Sequence, residues 1–213
     1  MIPRTEVRMV TTELRDVQAV GKPYRFLEGR AVPFNVFADI AGLFLEAHAM
    51  DSFKRSTRGG SGKNLPLLLF HDHSSSDGIA GHSESWDNRP DGLHGVWRLN
   101  DAPETQKAIR LVLDDDLSGL SIGFQPVRSD YQFADEYAPE RGPEFMDRVI
   151  RTESRLLEVS LTPTPAFATA GVTNIHTEET RESHLQTRSR LMAPPRVRDV
   201  DIWRLEYEKL RSK

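Results

Sequence analysis

Cysteine is absent from the 213 residues, which excludes disulfides, a cysteine nucleophile and thiolate metal sites and leaves nothing that points to an oxidising compartment. Long apolar runs are missing too. Arg4, Glu6, Arg8, Glu13, Arg15 and Asp16 interrupt the first thirty residues, so neither a signal peptide nor a membrane span is expected there, and a cytoplasmic site of action is the default. Charge of neither sign is in excess. The 28 Lys and Arg against 32 Asp and Glu leave a net charge of -4, which gives no electrostatic case for a nucleic-acid or membrane-surface partner. No internal repeat is visible.

What is present suits one medium domain with a tail. Hydrophobic residues make up 38% and charged residues 28%, enough for a real core yet more polar than a uniformly compact enzyme. Glu6 to Leu14 and Tyr24 to Phe34 alternate apolar with polar residues and predict strands. Asp51 to Thr57 predicts a short helical turn capped by Asp51, followed by a Gly and Ser-rich loop from Arg58 to Lys63. Leu65 to Phe70 is a short apolar run that reads as a buried strand ending at His71. Ile79 to Asn100 predicts strand, turn and strand around Asn88 to Gly92. Asp101, with Glu104 three residues on, predicts the cap of a helix that turns Ala108, Ile109, Leu111 and Val112 to one face and ends near Asp114 to Asp116. Leu120 to Val127 and Arg148 to Leu161 predict further strands, and Ser129 to Asp147 a surface loop. Thr177 to Arg190 has few large apolar residues and reads as a polar linker; Asp199 to Arg211 reads as a terminal helix. The expected organisation is a domain over residues 1–175 and a polar tail over 176–213.

Three segments concentrate reactive groups: His71, Asp72, His73; Ser118 to Phe124; and Leu157 to Leu161. A nucleophilic serine needs a base within hydrogen-bond reach and a third group that fixes the base's tautomer, so such residues converge from distant parts of a chain. Ser121 follows an acidic stretch and opens an apolar strand between Gly119 and Gly123, glycines that let backbone approach closely; the same pattern also fits a purely structural serine. His71 reads either as a polar strand end or as a base. His71 and His73, two apart on a strand, also permit a metal reading with His82 and His94. Glu158 is the one charge in LLEVSL, with Ser160 on its own face and Leu157, Val159 and Leu161 on the other. It is either exposed on a half-buried sheet or held inside by a partner such as His71.

In order, these segments resemble the caudovirus prohead serine protease family, which shares the herpesvirus assemblin type of fold. The likeness runs from about Tyr24 to Ala166. YRFLEGRAVPFNV is similar to the family's opening strand; MDSFKRST is similar to its short helical segment, departing at Met50, Asp51 and Ser52. LPLLLFHDH resembles the strand carrying the family's histidine, which assigns that role to His71 rather than His73. LSGLSIGF resembles the nucleophile segment and selects Ser121 over Ser118. LLEVSLTPTPAF resembles the closing strand with the acidic third member, Glu158, departing at Phe167.

The resemblance implies a mixed α+β, mainly β fold, a closed or partly closed β-barrel with surrounding helices, followed by the polar tail. It implies a serine endopeptidase with His71, Ser121 and Glu158 as catalytic residues and no metal or organic cofactor. The implied setting is the immature capsid in the host cytoplasm. The implied partners are the major capsid protein with its scaffold region and the chain itself as substrate, with a homodimer or higher oligomer left open. Two other classes are carried beside it: a non-catalytic assembly scaffold built on the same fold, and a metal-dependent hydrolase.

Overall fold

The computed structural model describes residues 24–58, 64–137, 139–141 and 145–192. The expectations for Glu6 to Leu14, for Asp199 to Arg211 and for most of the Arg58 to Lys63 loop lie outside the described residues. Among the described residues the α-helices and β-strands follow in order: β1 (Phe26–Pro33), β2 (Ala38–Ile40), β3 (Phe44–His48), α1 (Lys54–Thr57), β4 (Pro66–Leu69), β5 (Ile79–Arg89), β6 (Gly92–Leu99), α2 (Pro103–Leu113), β7 (Gly119–Gln132), α3 (Ala134–Tyr137), β8 (Arg148–Thr162), β9 (Gly171–His176) and α4 (Glu178–Met192).

The strands form one sheet in the order β2-β3-β8-β4-β5-β6-β1-β9-β7, and β7 pairs back onto β8. That pairing closes the run from β8 round to β7 into a barrel and leaves β2 and β3 as a flap on β8. Closure removes free edges that would otherwise template aggregation. The fold is thus mainly β with few helices, as the resemblance implies. Alternation places Leu27, Leu67, Trp97, Leu120, Val159 and Leu161 in one buried core, at roughly 25 cal/mol for each Å² of apolar surface removed from water. Trp97 is fully buried and meets Trp86 edge to face, ring centroids 5.4 Å apart.

Helix α2 packs Ala108, Ile109 and Val112 into that core, while Leu111 is only partly buried. Its start differs from the sequence expectation. Asp101 does not cap it but forms an ion pair with Arg25. No side chain caps the helix; the carboxamide of Asn100 braces its entry, Oδ1 accepting from the amide of Ala102 at 3.1 Å and the hydroxyl of Thr105 at 2.6 Å. Proline at the first helical position contributes no amide needing a cap. Asp51, expected to cap α1, binds the Lys54 side chain at 3.1 Å and leaves the helix without a side-chain cap.

Two segments read as irregular are ordered differently. Ser129 to Gln132 continue β7 because they pair with Arg148 to Arg151 of β8; a polar composition does not prevent pairing on a solvated ribbon. The stretch expected as a polar linker is helical from Glu178 to Met192. Its Glu, Gln, Arg and Leu are good helix formers despite their polarity, and Glu178 and Glu179 in the first turn suit the helix dipole. The compact unit holding the barrel ends at Thr177 and α4 belongs to a second unit. Among the described residues no helix is long and apolar enough to cross a membrane.

Candidate active site

The site is built where β4, β7 and β8 run side by side. Strand β4 lies parallel to β8, with Leu67 opposite Val159, Leu68 opposite Ser160 and Leu69 opposite Leu161. Strand β7 lies antiparallel on the other side of β8, with Ser121 opposite Ser160, Ile122 opposite Val159 and Gly123 opposite Glu158. Directly opposed residues share a face of the sheet. Leu120, Val159 and Leu161 therefore fill the core, and Ser121, Gly123, Glu158 and Ser160 stand together on the other face.

A bulge immediately precedes Glu158 on β8. Gly123 opposes Glu158 but the next residue, Phe124, opposes Leu156, so Leu157 has no position of its own in the ladder. One extra residue changes the parity of the strand. Leu156, Val159 and Leu161 are consequently buried, whereas Leu157, which simple alternation puts with Val159 and Leu161, is 44% exposed.

His71 arrives from a tight turn. The amide of Asp72 donates to the carbonyl of Leu69 at 2.9 Å, and the two residues between, Phe70 and His71, have φ of 55° and 58°. Left-handed backbone at consecutive bulky residues costs on the order of 1–2 kcal/mol each. The turn is held from outside. The Phe70 amide donates to the Leu161 carbonyl at 2.9 Å, and Asp72 accepts from the amide and hydroxyl of Ser74 at 2.8 and 2.6 Å. The Ser74 hydroxyl, then its amide, hold the Asp72 carboxyl below its ordinary range. Gly78 packs so closely that a Cβ there would stand 2.4 Å from the Asp72 carbonyl.

The turn directs the ring of His71 back over β8, where Nδ1 lies 2.7 Å from Oε1 of Glu158. A carboxylate only accepts, so opposite one Nδ1 is the donor, and a neutral ring in that tautomer has its lone pair on Nε2. The Glu158 side chain is 2% exposed against 41% for His71. The ring therefore joins a buried charge to a solvent-accessible surface. Of the two settings open to Glu158 on sequence grounds, the structure has the one held inside by His71. The second carboxylate oxygen, Oε2, accepts from the buried hydroxyl of Ser160 at 2.7 Å. Ser121 is half-buried and directly across from Ser160, a pairing that sets Cβ atoms about 4.5–5.5 Å apart.

The glycines beside Ser121 have distinct tasks. A Cβ on Gly123 would stand 2.5 Å from Oε1 of Glu158, and one on Gly119 would stand 2.4 Å from the Thr162 carbonyl. Gly123 thus leaves the volume that the carboxylate occupies. His73 is exposed, and among the described residues no three His, Asp or Glu side chains cluster in a way that could hold a metal ion.

Beyond the bulge lies an aromatic cage that sequence reading did not foresee. His48 is fully buried among Phe53, Phe124 and Phe167 at centroid distances of 4.9, 4.8 and 5.6 Å, and among the described residues neither ring nitrogen has a hydrogen-bond partner. Burial, with a smaller contribution from the Arg151 guanidinium, lowers its pKa to about 3. Arg151 is itself engaged, its Nε donating to Oε1 of Glu46 at 2.6 Å.

The architecture is that of a closed, mainly β barrel, and the His71–Glu158 pair lies on the face of the sheet where Ser121 stands. The family model of the caudovirus prohead serine protease matches residues 11–186. The chain belongs to that family, a family of serine peptidases. Comparison with curated proteins gives no match.

Proposed function

We propose that the chain is a serine endopeptidase of capsid maturation, in which Ser121 is the nucleophile, His71 the general base and Glu158 the group that orients the base. The observation that carries this reading is the 2.7 Å contact of His71 Nδ1 with Glu158, made on the face of the barrel where Ser121 stands. With Nδ1 committed to the carboxylate, Nε2 takes the proton of the Ser121 hydroxyl as its oxygen attacks a peptide carbonyl. The imidazolium then returns that proton to the leaving amine, and the buried carboxylate offsets the charge the ring carries in between. Water attacks the acyl-enzyme by the same proton path and frees Ser121. No metal or organic cofactor takes part.

Membership of the family supports the substrate assignment: the scaffold region of the major capsid protein, met inside the immature capsid in the host cytoplasm. Cutting of the chain itself belongs to the same reading. Tail removal within Glu178–Met192 would require α4 to unwind, because a peptidase cleft takes extended backbone. Co-expression of the capsid protein with wild type or with Ser121→Ala, read by the gel shift of the shell subunit, tests the proposal. Processing by the wild type alone supports it. Processing by Ser121→Ala removes the nucleophile assignment, and processing by neither leaves the assembly-scaffold role as the better reading.

A further inference from the structure

Ser160 takes no part in the proton path described above, yet it is completely buried and its hydroxyl is committed to one acceptor. A buried carboxylate is costly to hold unless its oxygens are bonded. Glu158 divides its oxygens between two donors, Oε1 to the His71 ring and Oε2 to Ser160 Oγ, both at 2.7 Å. The torsion that swings a glutamate carboxylate is broad and does not fix itself. A donor on one oxygen leaves the plane of the carboxylate free to turn about that contact; a second donor on the other oxygen ends the freedom.

The backbone makes Ser160 suited to that task. It lies two residues from Glu158 on the same strand face, beyond the bulge, so its Cβ points where the carboxylate lies. Leu68 of β4 flanks it on one side and Ser121 of β7 on the other. Gly123, opposite Glu158, supplies the volume but no donor. Resting on the reading of His71, Ser121 and Glu158 given above, we infer that Ser160 is a positioning residue for catalysis: its hydroxyl locks the Glu158 carboxylate so that the His71 ring is aimed at Ser121.

The test uses steady-state cleavage of a peptide spanning the capsid-protein junction mapped in the co-expression experiment, with wild type and Ser121→Ala as reference points. Ser160→Ala is expected to lower kcat roughly 10- to 100-fold, the range for loss of a hydrogen bond to a charged group, with KM close to wild type and a lowered melting temperature, because the buried Oε2 of Glu158 loses its donor. In a Glu158→Gln background the same substitution is expected to change kcat less than twofold, since the carboxylate it serves is gone. Ser160→Thr, which restores the hydroxyl, should recover most of the rate. Should Ser160→Ala fail to fold, Ser160→Cys keeps the shape with a poor donor and is expected to lose kcat in the folded protein. Full kcat in Ser160→Ala or in folded Ser160→Cys, beside an inactive Ser121→Ala, overturns the inference and leaves the peptidase reading standing. Activity in Ser121→Ala overturns both.

Discussion

Gly123 and Glu158 face each other across β7 and β8 so closely that a methyl group on the glycine would stand 2.5 Å from the carboxylate oxygen bound to His71. The glycine between Ile122 and Phe124 is therefore a matter of space at the carboxylate rather than of backbone conformation. Gly123→Ala is expected to displace the Glu158 carboxylate and lower peptidase activity at least tenfold. Circular dichroism should show an intact fold, because the clash falls on a side chain and not on the ladder. Wild-type rates in the alanine variant would contradict the geometry.

The same carboxylate fixes which ring nitrogen of His71 carries the proton. Glu158→Gln keeps the shape but can present an N–H to Nδ1, favouring the tautomer whose Nε2 is protonated and cannot accept from Ser121. By analogy with the serine-protease triad, the expected loss in kcat is roughly 10³- to 10⁴-fold. KM for a junction peptide should change little, and a loss smaller than tenfold would argue against an orienting role.

Phe70 pays strain for the aim of its neighbour. Its φ is 55° and its side chain is 55% exposed, so Phe70→Gly forfeits little packing and relieves about 1 kcal/mol of left-handed strain. The melting temperature should rise by about 2–4 °C while kcat falls, since a glycine turn holds the His71 ring less firmly. A drop in melting temperature would show that Phe70 packs more than its exposure implies.

His48 gives the barrel an acid sensitivity independent of the site. Its folded pKa of about 3 lies below the ordinary histidine value, so between pH 6.5 and 3 the unfolded chain binds a proton that the folded chain does not. Stability contributed by the neutral ring is full above pH 6.5 and is lost as pH falls through that window, with a slope near 1.4 kcal/mol per pH unit. His48→Leu removes two unpaired ring nitrogens at similar volume. Urea melts from pH 7 to pH 4 should show a shallower decline for the variant; identical slopes would contradict the assignment.

Much of this was legible in the sequence because several signals were local. The apolar run before His71, the alternation from Ile79 to Leu99 and the serine between two glycines each declare their element within a few residues. The convergence of His71 with Glu158, 87 positions apart, was one of two settings open on the residues, and only the resemblance chose between them. Parity failed at Leu157 because a bulge is set by the partner strand and leaves no mark in alternation. Asp101 satisfied the capping pattern, yet α2 has no side-chain cap and Arg25 draws the aspartate away. Polarity misled at Glu178–Met192, where the residues that avoid a core are also good helix formers. Ser160 was placed on the correct face by alternation, but nothing in the sequence signalled that its hydroxyl would meet Glu158.

The central claim, that the hydroxyl of Ser121 is activated by the His71–Glu158 pair, is tested most directly by a serine-directed phosphonate followed by mass spectrometry of the labelled peptide. The account predicts a single adduct on Ser121 in the wild type and its loss in His71→Ala. An adduct on another serine, or equal labelling of Ser121 without the imidazole, would contradict it.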